Sequence, residues 1–77
     1  MIDSFILRRD GTVPPSYGNA SVQMLDPVDR HGPGPISPGD RVRHLNYRYR
    51  PLGIGTVIAM TEHPILKPLY NITVLWA

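Results

Sequence analysis

The stretch Leu69-Tyr70-Asn71-Ile72-Thr73-Val74-Leu75-Trp76-Ala77 carries the strongest fold signal in the chain. Tyr70, Ile72, Val74 and Trp76 recur at every second position. Because successive side chains of a β-strand point to opposite faces, this period predicts a strand with those four residues on one face. We expect Trp76 in the core, since it falls in step with Ile72 and Val74. The alternative is that Trp76 anchors a protein interface.

Two further strands are predicted before this one. The first is Arg41–Leu45, which a Gly39-Asp40 turn opens and in which Val42 points inward. The second is the β-rich run from Gly53 to Met60, where the glycines at its start predict a bulge or sharp bend. Nine prolines and seven glycines, with no sustained helical period of apolar residues, argue against helices. The sequence therefore predicts an all-β protein.

The N-terminal half, residues 1–38, differs from the rest of the chain in composition and in its predicted elements. Residues 4–9 predict a short strand, Asp10-Gly11 a tight turn, and Thr12-Val13 a return strand, together a short β-hairpin. Residues 20–25 predict another strand, and residues 31–38 form a linker with three prolines and two glycines. So many prolines prevent this half from closing its own core. We therefore predict two units, an extended Pro-rich N-terminal arm (residues 1–38) and a small β-barrel (residues 39–77).

The arm carries several apolar side chains that it cannot bury alone. We expect them to lie against other protein subunits. A chain of 77 residues without cysteine has no disulfides to stabilise it, so association with other chains is the expected substitute. The candidate partner-binding residues of the arm are Phe5, Ile6, Leu7, Val22, Met24 and Leu25.

Residues 39–77 resemble the Tudor/KOW-type small β-barrels, which have an SH3-like fold. The resemblance is carried by Gly39-Asp40-Arg41-Val42-Arg43-His44, by Gly53-Ile54-Gly55-Thr56-Val57-Ile58 and by Tyr70–Trp76. Similar barrels occur at the C-terminal end of some bacterial DNA helicases and in short bacteriophage proteins. The resemblance implies an SH3-like barrel for this part of the chain. It implies no single function, because such barrels serve many unrelated tasks.

No set of residues in the sequence has the pattern of an active site. The four serines lie in the first half without an elbow motif, and Asp26 and Asp29 flank a proline in a predicted loop. His31, His44 and His63 lie far apart in the sequence, unlike the closely spaced pairs of zinc ligands, and His44 is expected to be an ordinary strand residue. We expect no enzyme activity, no metal, no cofactor and no small-molecule substrate.

A dense group of arginines and tyrosines follows the first strand of the predicted barrel. Arginine and tyrosine are enriched at protein interfaces, and they also bind phosphates and stack on bases. Residues 1–38 have a net charge of −1 and residues 39–77 of +3, which is modest for a nucleic-acid surface. The third interpretation is that these arginines and tyrosines form an ordinary solvated surface. The candidate partner-binding residues of the barrel are Arg41, Arg43, Tyr47, Arg48, Tyr49 and Arg50.

These patterns favour a non-enzymatic structural or accessory subunit of a large protein assembly, above all a bacteriophage virion protein of the capsid cement or decoration type. The alternative is a Tudor/KOW-like adaptor that binds nucleic acid or the transcription and repair machinery through its Arg/Tyr surface. The expected partners are other protein subunits, with nucleic acid second. No apolar run is long enough for a membrane span or a signal peptide, so we expect the virion or the host cytoplasm.

Overall fold

The computed structural model describes residues 1–13, 22–29, 35–46 and 50–76, with the backbone alone for Arg50. These residues form an all-β structure, as the sequence predicts, and they are compact. Their single helical element is a 3₁₀ turn at Arg50–Leu52. None of their helices has the length and apolar character needed to cross a membrane. The strands are β1 (Ile2–Leu7), β2 (Thr12–Val13), β3 (Val22–Gln23), β4 (Leu25–Asp29), β5 (Arg41–His44), β6 (Ile54–Glu62) and β7 (Tyr70–Trp76).

Five of these strands form one antiparallel sheet in the order β1-β7-β6-β5-β4, while β2 and β3 form a separate two-stranded sheet. β1 pairs along its whole length with β7, from Ile2 opposite Leu75 to Leu7 opposite Tyr70. The Trp76 N–H donates to the Met1 carbonyl at 2.8 Å, and the Met1 ammonium donates back to the Trp76 carbonyl at 3.2 Å. The two ends of the described chain are therefore neighbours in the sheet.

The core lies on the inner face of the sheet and draws on both halves of the chain. Ile72, Val74 and Trp76 are at most 2% exposed, which confirms the predicted inner face of β7 and the core position of Trp76. Val42 is fully buried on β5, also as predicted. Leu7, Leu25 and Ile36 from the first half, together with Val57, complete the cluster.

The sheet takes strands from both sides of the boundary predicted after Pro38. β1 and β4 come from the N-terminal half, whereas β5, β6 and β7 come from the rest. Among the described residues β1 and β4 are its two edges and do not pair, so the sheet is open. Closure into an SH3-like barrel and a free-standing arm are therefore not confirmed. The domain boundary stays a prediction, because it concerns independent folding.

Two glycines are required where backbones approach closely. Gly11 has φ 84°, and a Cβ there would lie 2.5 Å from the Leu25 carbonyl oxygen. It forms the predicted Asp10-Gly11 turn, although the strand that follows, β2, pairs with β3. A Cβ on Gly55 would lie 2.5 Å from Val74 Cγ1 and 2.6 Å from Trp76 Cε3. Gly55 thus makes room for Trp76, while the shift in register on β6 lies further along, between Val57 and Ala59.

The predicted linker is described only from Pro35 onward, and this part is tightly held. Ile36 is 1% exposed in the core, and its N–H donates to the Arg9 carbonyl at 3.0 Å. Asp40, also buried, accepts the Ser37 N–H at 2.9 Å through Oδ2. This segment therefore fastens the β1–β2 turn to the start of β5.

Candidate interaction surfaces

Arg41 and Arg43 lie on the outer face of β5, because the alternate residues Val42 and His44 are buried. Arg43 forms an ion pair of 3.1 Å with Asp26 on the neighbouring strand β4. Arg41 lies opposite Asp29 in the same ladder. Of the other candidates, Tyr47, Arg48 and Tyr49 fall outside the described residues, as does the side chain of Arg50. The described part of this surface is therefore a strip of alternating charges.

The six candidate residues of the arm take different positions. Leu7 and Leu25 lie in this chain's own core, and Phe5 and Met24 are partly buried against it. Ile6 and Val22 are 46% and 53% exposed. Only these last two present much of their apolar surface to the outside, and they lie on different sheets, in β1 and β3.

His44 is a buried strand residue, and its imidazole ring packs in the protein interior. It is 5% exposed, and its ring centroid lies 4.9 Å from that of Phe5. The Asn46 N–H donates to His44 Nδ1 at 3.0 Å, so this nitrogen acts as an acceptor. Burial lowers the pKa of His44 below the ordinary 6.5, because the charged imidazolium loses hydration in the core.

The most exposed large apolar side chain among the described residues is at the tip of the β6–β7 hairpin. Ile65 is 81% exposed and Leu66 is 49% exposed, with Pro64 and Pro68 on either side. We call residues 64–68 the hairpin tip. An apolar group this exposed, next to a second one, is a common feature of interaction sites.

The hairpin tip is held by its own hydrogen bonds. His63 Nδ1 accepts the N–H of Ile65 at 3.2 Å and that of Leu66 at 2.9 Å. The His63 N–H donates to the Leu69 carbonyl at 2.9 Å, and the Leu69 N–H donates to the Leu66 carbonyl at 2.8 Å. These backbone groups are therefore satisfied within the loop, while the side chains of Ile65 and Leu66 stay exposed.

A second set of exposed apolar side chains lies on the five-stranded sheet. Ile2 and Leu75 are direct cross-strand neighbours on β1 and β7, at 60% and 43% exposure. Ile54 and Ile58 on β6 are exposed to a similar degree, 41% and 45%.

Arg9 and Tyr70 form an Arg–Tyr contact that sequence reasoning missed. The Arg9 guanidinium carbon lies 5.5 Å from the centroid of the Tyr70 ring, a distance typical of a cation–π contact. The Tyr70 hydroxyl donates to Glu62 at 3.4 Å. Arg9 and Tyr70 lie near opposite ends of the sequence, so no local pattern could have pointed to the pair. The sequence shows only that both lie within predicted strands.

The described residues include side chains of metal-ligating types as well as surface depressions. No three histidine or carboxylate side chains among them lie close enough to hold a metal ion. A depression of about 480 Å³ is lined by Arg43, His44, Leu45, Gly53 and Ile54, and its described lining contains no carboxylate.

Comparison with known proteins adds no relative. No protein-family model, curated protein or solved structure matches this chain.

Proposed function

We propose that this protein is a non-enzymatic structural or accessory subunit that docks on other protein subunits of a large assembly, of the kind that cements or decorates a bacteriophage capsid. The observation that carries the proposal is the hairpin tip, where Ile65 is 81% exposed on a loop held by its own hydrogen bonds. A rigid loop loses little conformational entropy on binding, so most of the free energy from burying its apolar side chains favours the complex.

The partner at the hairpin tip is a protein with an apolar pocket. The tip has one cation, Lys67, and no aromatic side chain. Peripheral membrane binding relies on clusters of basic residues or on aromatic and lipid anchors. Two adjacent branched aliphatic side chains suit a protein interface, where a few central residues supply most of the affinity.

The Tudor/KOW-like adaptor is the second candidate, and the described charges favour it less. It would contact nucleic acid through Arg41, Arg43, Tyr47, Arg48 and Arg50, of which the structure describes the side chains of Arg41 and Arg43. Arg43 is already paired with Asp26, and Arg41 lies opposite Asp29. A phosphate would have to compete with these carboxylates, and several uncompensated cations are needed for appreciable affinity.

The test is incorporation into particles purified from cells that express the chain in its natural setting. The variant carries Ile65→Ser and Leu66→Ser, and the control carries Ile54→Ser and Ile58→Ser, which change two exposed isoleucines elsewhere. Each buried aliphatic side chain contributes about 1.5–3 kcal/mol, so the tip variant should lose particle occupancy by at least about tenfold. The control should keep it.

Two results would contradict the proposal. One is full occupancy of the tip variant, measured by quantitative mass spectrometry of the particles. The other is a chain that sediments alone at every stage of growth, with no copy in any large particle. Circular dichroism of the purified variants checks that both retain the sheet, so that a loss of occupancy reports on docking.

A further inference from the structure

A basic groove runs beside the Arg9–Tyr70 contact, where the β1–β2 turn meets the end of the β6–β7 hairpin. Two depressions of about 340 and 150 Å³ share Pro68 and Tyr70 in their walls. Pro35 and the Arg8–Asp10 turn close one side, and Glu62 and Lys67 close the other. The lining of this groove thus combines apolar surface, from Tyr70, Pro35 and Pro68, with charged side chains.

Two cations on the rim lack a carboxylate partner within the described part of the chain. Arg9 is exposed, stacks on Tyr70 and forms no ion pair there. Lys67 is exposed as well, and no ion pair between described residues involves it. This distinguishes them from Arg43, whose charge is compensated by Asp26.

The two acids beside the groove are already engaged. Asp10 Oδ1 accepts the Thr12 hydroxyl at 2.6 Å and the Thr12 N–H at 3.0 Å. Glu62 accepts the Tyr70 hydroxyl at 3.4 Å. Among the described residues, no ion pair joins Asp10 or Glu62 to Arg9 or Lys67, so these two cations are available to a ligand.

We infer that this groove binds an acidic, extended segment of a partner protein. Carboxylates of the segment would lie at Arg9 and Lys67, and an apolar or proline side chain between them would pack on Tyr70 and Pro68. Charge-assisted hydrogen bonds from a guanidinium and an ammonium are the contacts that carboxylates favour. The inference goes beyond docking at the hairpin tip, because it assigns a second surface and the chemistry of its ligand.

Nucleic acid fits this groove less well than an acidic protein segment does. Two uncompensated cations correspond to about two phosphate contacts, whereas strong nonspecific binding uses roughly six to ten. The net charge of the whole chain is only +2.

The experiment uses the purified full chain and a fluorescein-labelled peptide of repeating Glu-Pro-Leu, followed by fluorescence anisotropy. Prolines keep the peptide extended, glutamates supply carboxylates, and leucines supply apolar contact. We expect binding in the micromolar to millimolar range at about 50 mM salt, and clear weakening at about 500 mM. The matched peptide of repeating Gln-Pro-Leu should bind at least about tenfold more weakly, since charge is its one difference.

Variants assign the binding to the groove. Arg9→Gln and Lys67→Gln should each weaken Glu-Pro-Leu binding by about three- to tenfold, whereas Arg43→Gln, which changes a cation elsewhere, should leave it unchanged. The double variant Arg9→Glu/Lys67→Glu should lose the acidic peptide and gain affinity for repeating Lys-Pro-Leu. The Ile65→Ser/Leu66→Ser variant should still bind Glu-Pro-Leu, which separates this result from the particle experiment.

Three outcomes would overturn the inference. The first is equal affinity for the Glu and Gln peptides, and the second is no binding of either up to about 1 mM, the weakest affinity expected here. The third is tighter binding of a thymidine oligonucleotide of matched length in the same assay, lost in the Arg9→Gln variant. That last result would assign the groove to nucleic acid.

Discussion

His44 is a titratable side chain that the fold has almost wholly removed from water. It is 5% exposed, lies against Phe5, and accepts the Asn46 N–H through Nδ1. Because burial lowers its pKa below 6.5, the unfolded chain takes up a proton at a higher pH than the folded chain does. The contribution of His44 to the free energy of unfolding is therefore fully present above about pH 6.5. It decreases as the pH drops toward the pKa of His44 in the folded state.

We predict that thermal stability declines between about pH 7 and pH 5 more steeply for the wild-type chain than for a His44→Gln variant. Glutamine keeps a hydrogen-bond acceptor but does not titrate. Because a single proton is involved, the difference in unfolding free energy between the two proteins changes by at most about 1.4 kcal/mol per pH unit. Melting curves by circular dichroism across this range measure it. Parallel pH profiles for the two proteins would show that His44 is not the group responsible.

Also at the residue scale, the position of Trp76 could be predicted from the sequence, whereas the reason for Gly55 could not. The two-residue period placed Trp76 on the inner face of β7 correctly. The glycines at the start of the Gly53–Met60 run predicted a bulge or sharp bend there. Gly53, just before β6, has φ 74°, while the register shift lies further along, between Val57 and Ala59. Gly55, however, is needed because the Trp76 ring occupies the space of its missing Cβ. That contact lies between strands, so no reading of the β6 stretch alone could have revealed it.

At the scale of the elements, the tip of the β6–β7 hairpin depends on one side chain. His63 Nδ1 accepts two backbone N–H groups, those of Ile65 and Leu66. Removing the acceptor leaves both donors to water and loosens the tip, while β6 and β7 retain their ladder. The loop therefore has a stability of its own, distinct from that of the sheet.

We predict that His63→Ala speeds hydrogen exchange of the Ile65 and Leu66 amides by about two- to tenfold, the equivalent of one ordinary hydrogen bond. The exchange of amides in the β7 core should not change. His63→Asn is the control, because its Oδ1 can accept at nearly the position of Nδ1. If His63→Ala exchanged at the wild-type rate, the imidazole would not be what holds the tip.

For the molecule as a whole, the sheet joins the two halves that the sequence separates. A fragment of residues 39–77 would lack β1 and β4, as well as the core side chains Leu7, Leu25 and Ile36. β5 and β7 would each lose one neighbour, which leaves three strands with one apolar face uncovered. The two halves of the sequence differ in charge and in proline content. Neither property indicates which strands pair with one another.

We predict that residues 39–77 alone give no cooperative thermal transition and a poorly dispersed amide spectrum, whereas the full chain gives both a transition and dispersion. Adding a peptide of residues 1–38 should restore structure only to the extent that β1 and β4 dock in trans. A fragment that folds cooperatively by itself would instead support the predicted boundary after Pro38. Nuclear magnetic resonance of the two chains decides between these outcomes.

The sequence by itself determined the all-β class, the inner face of β7, the inward position of Val42 and the turn at Asp10-Gly11. These features are local, because the alternation of side chains and the φ freedom of glycine act within a few residues. Tertiary structure alone decided that β1 pairs with β7, that Ile36 fills the core, and that Arg9 meets Tyr70. Each of these joins distant residues, and register between strands depends on how all the apolar faces are buried together.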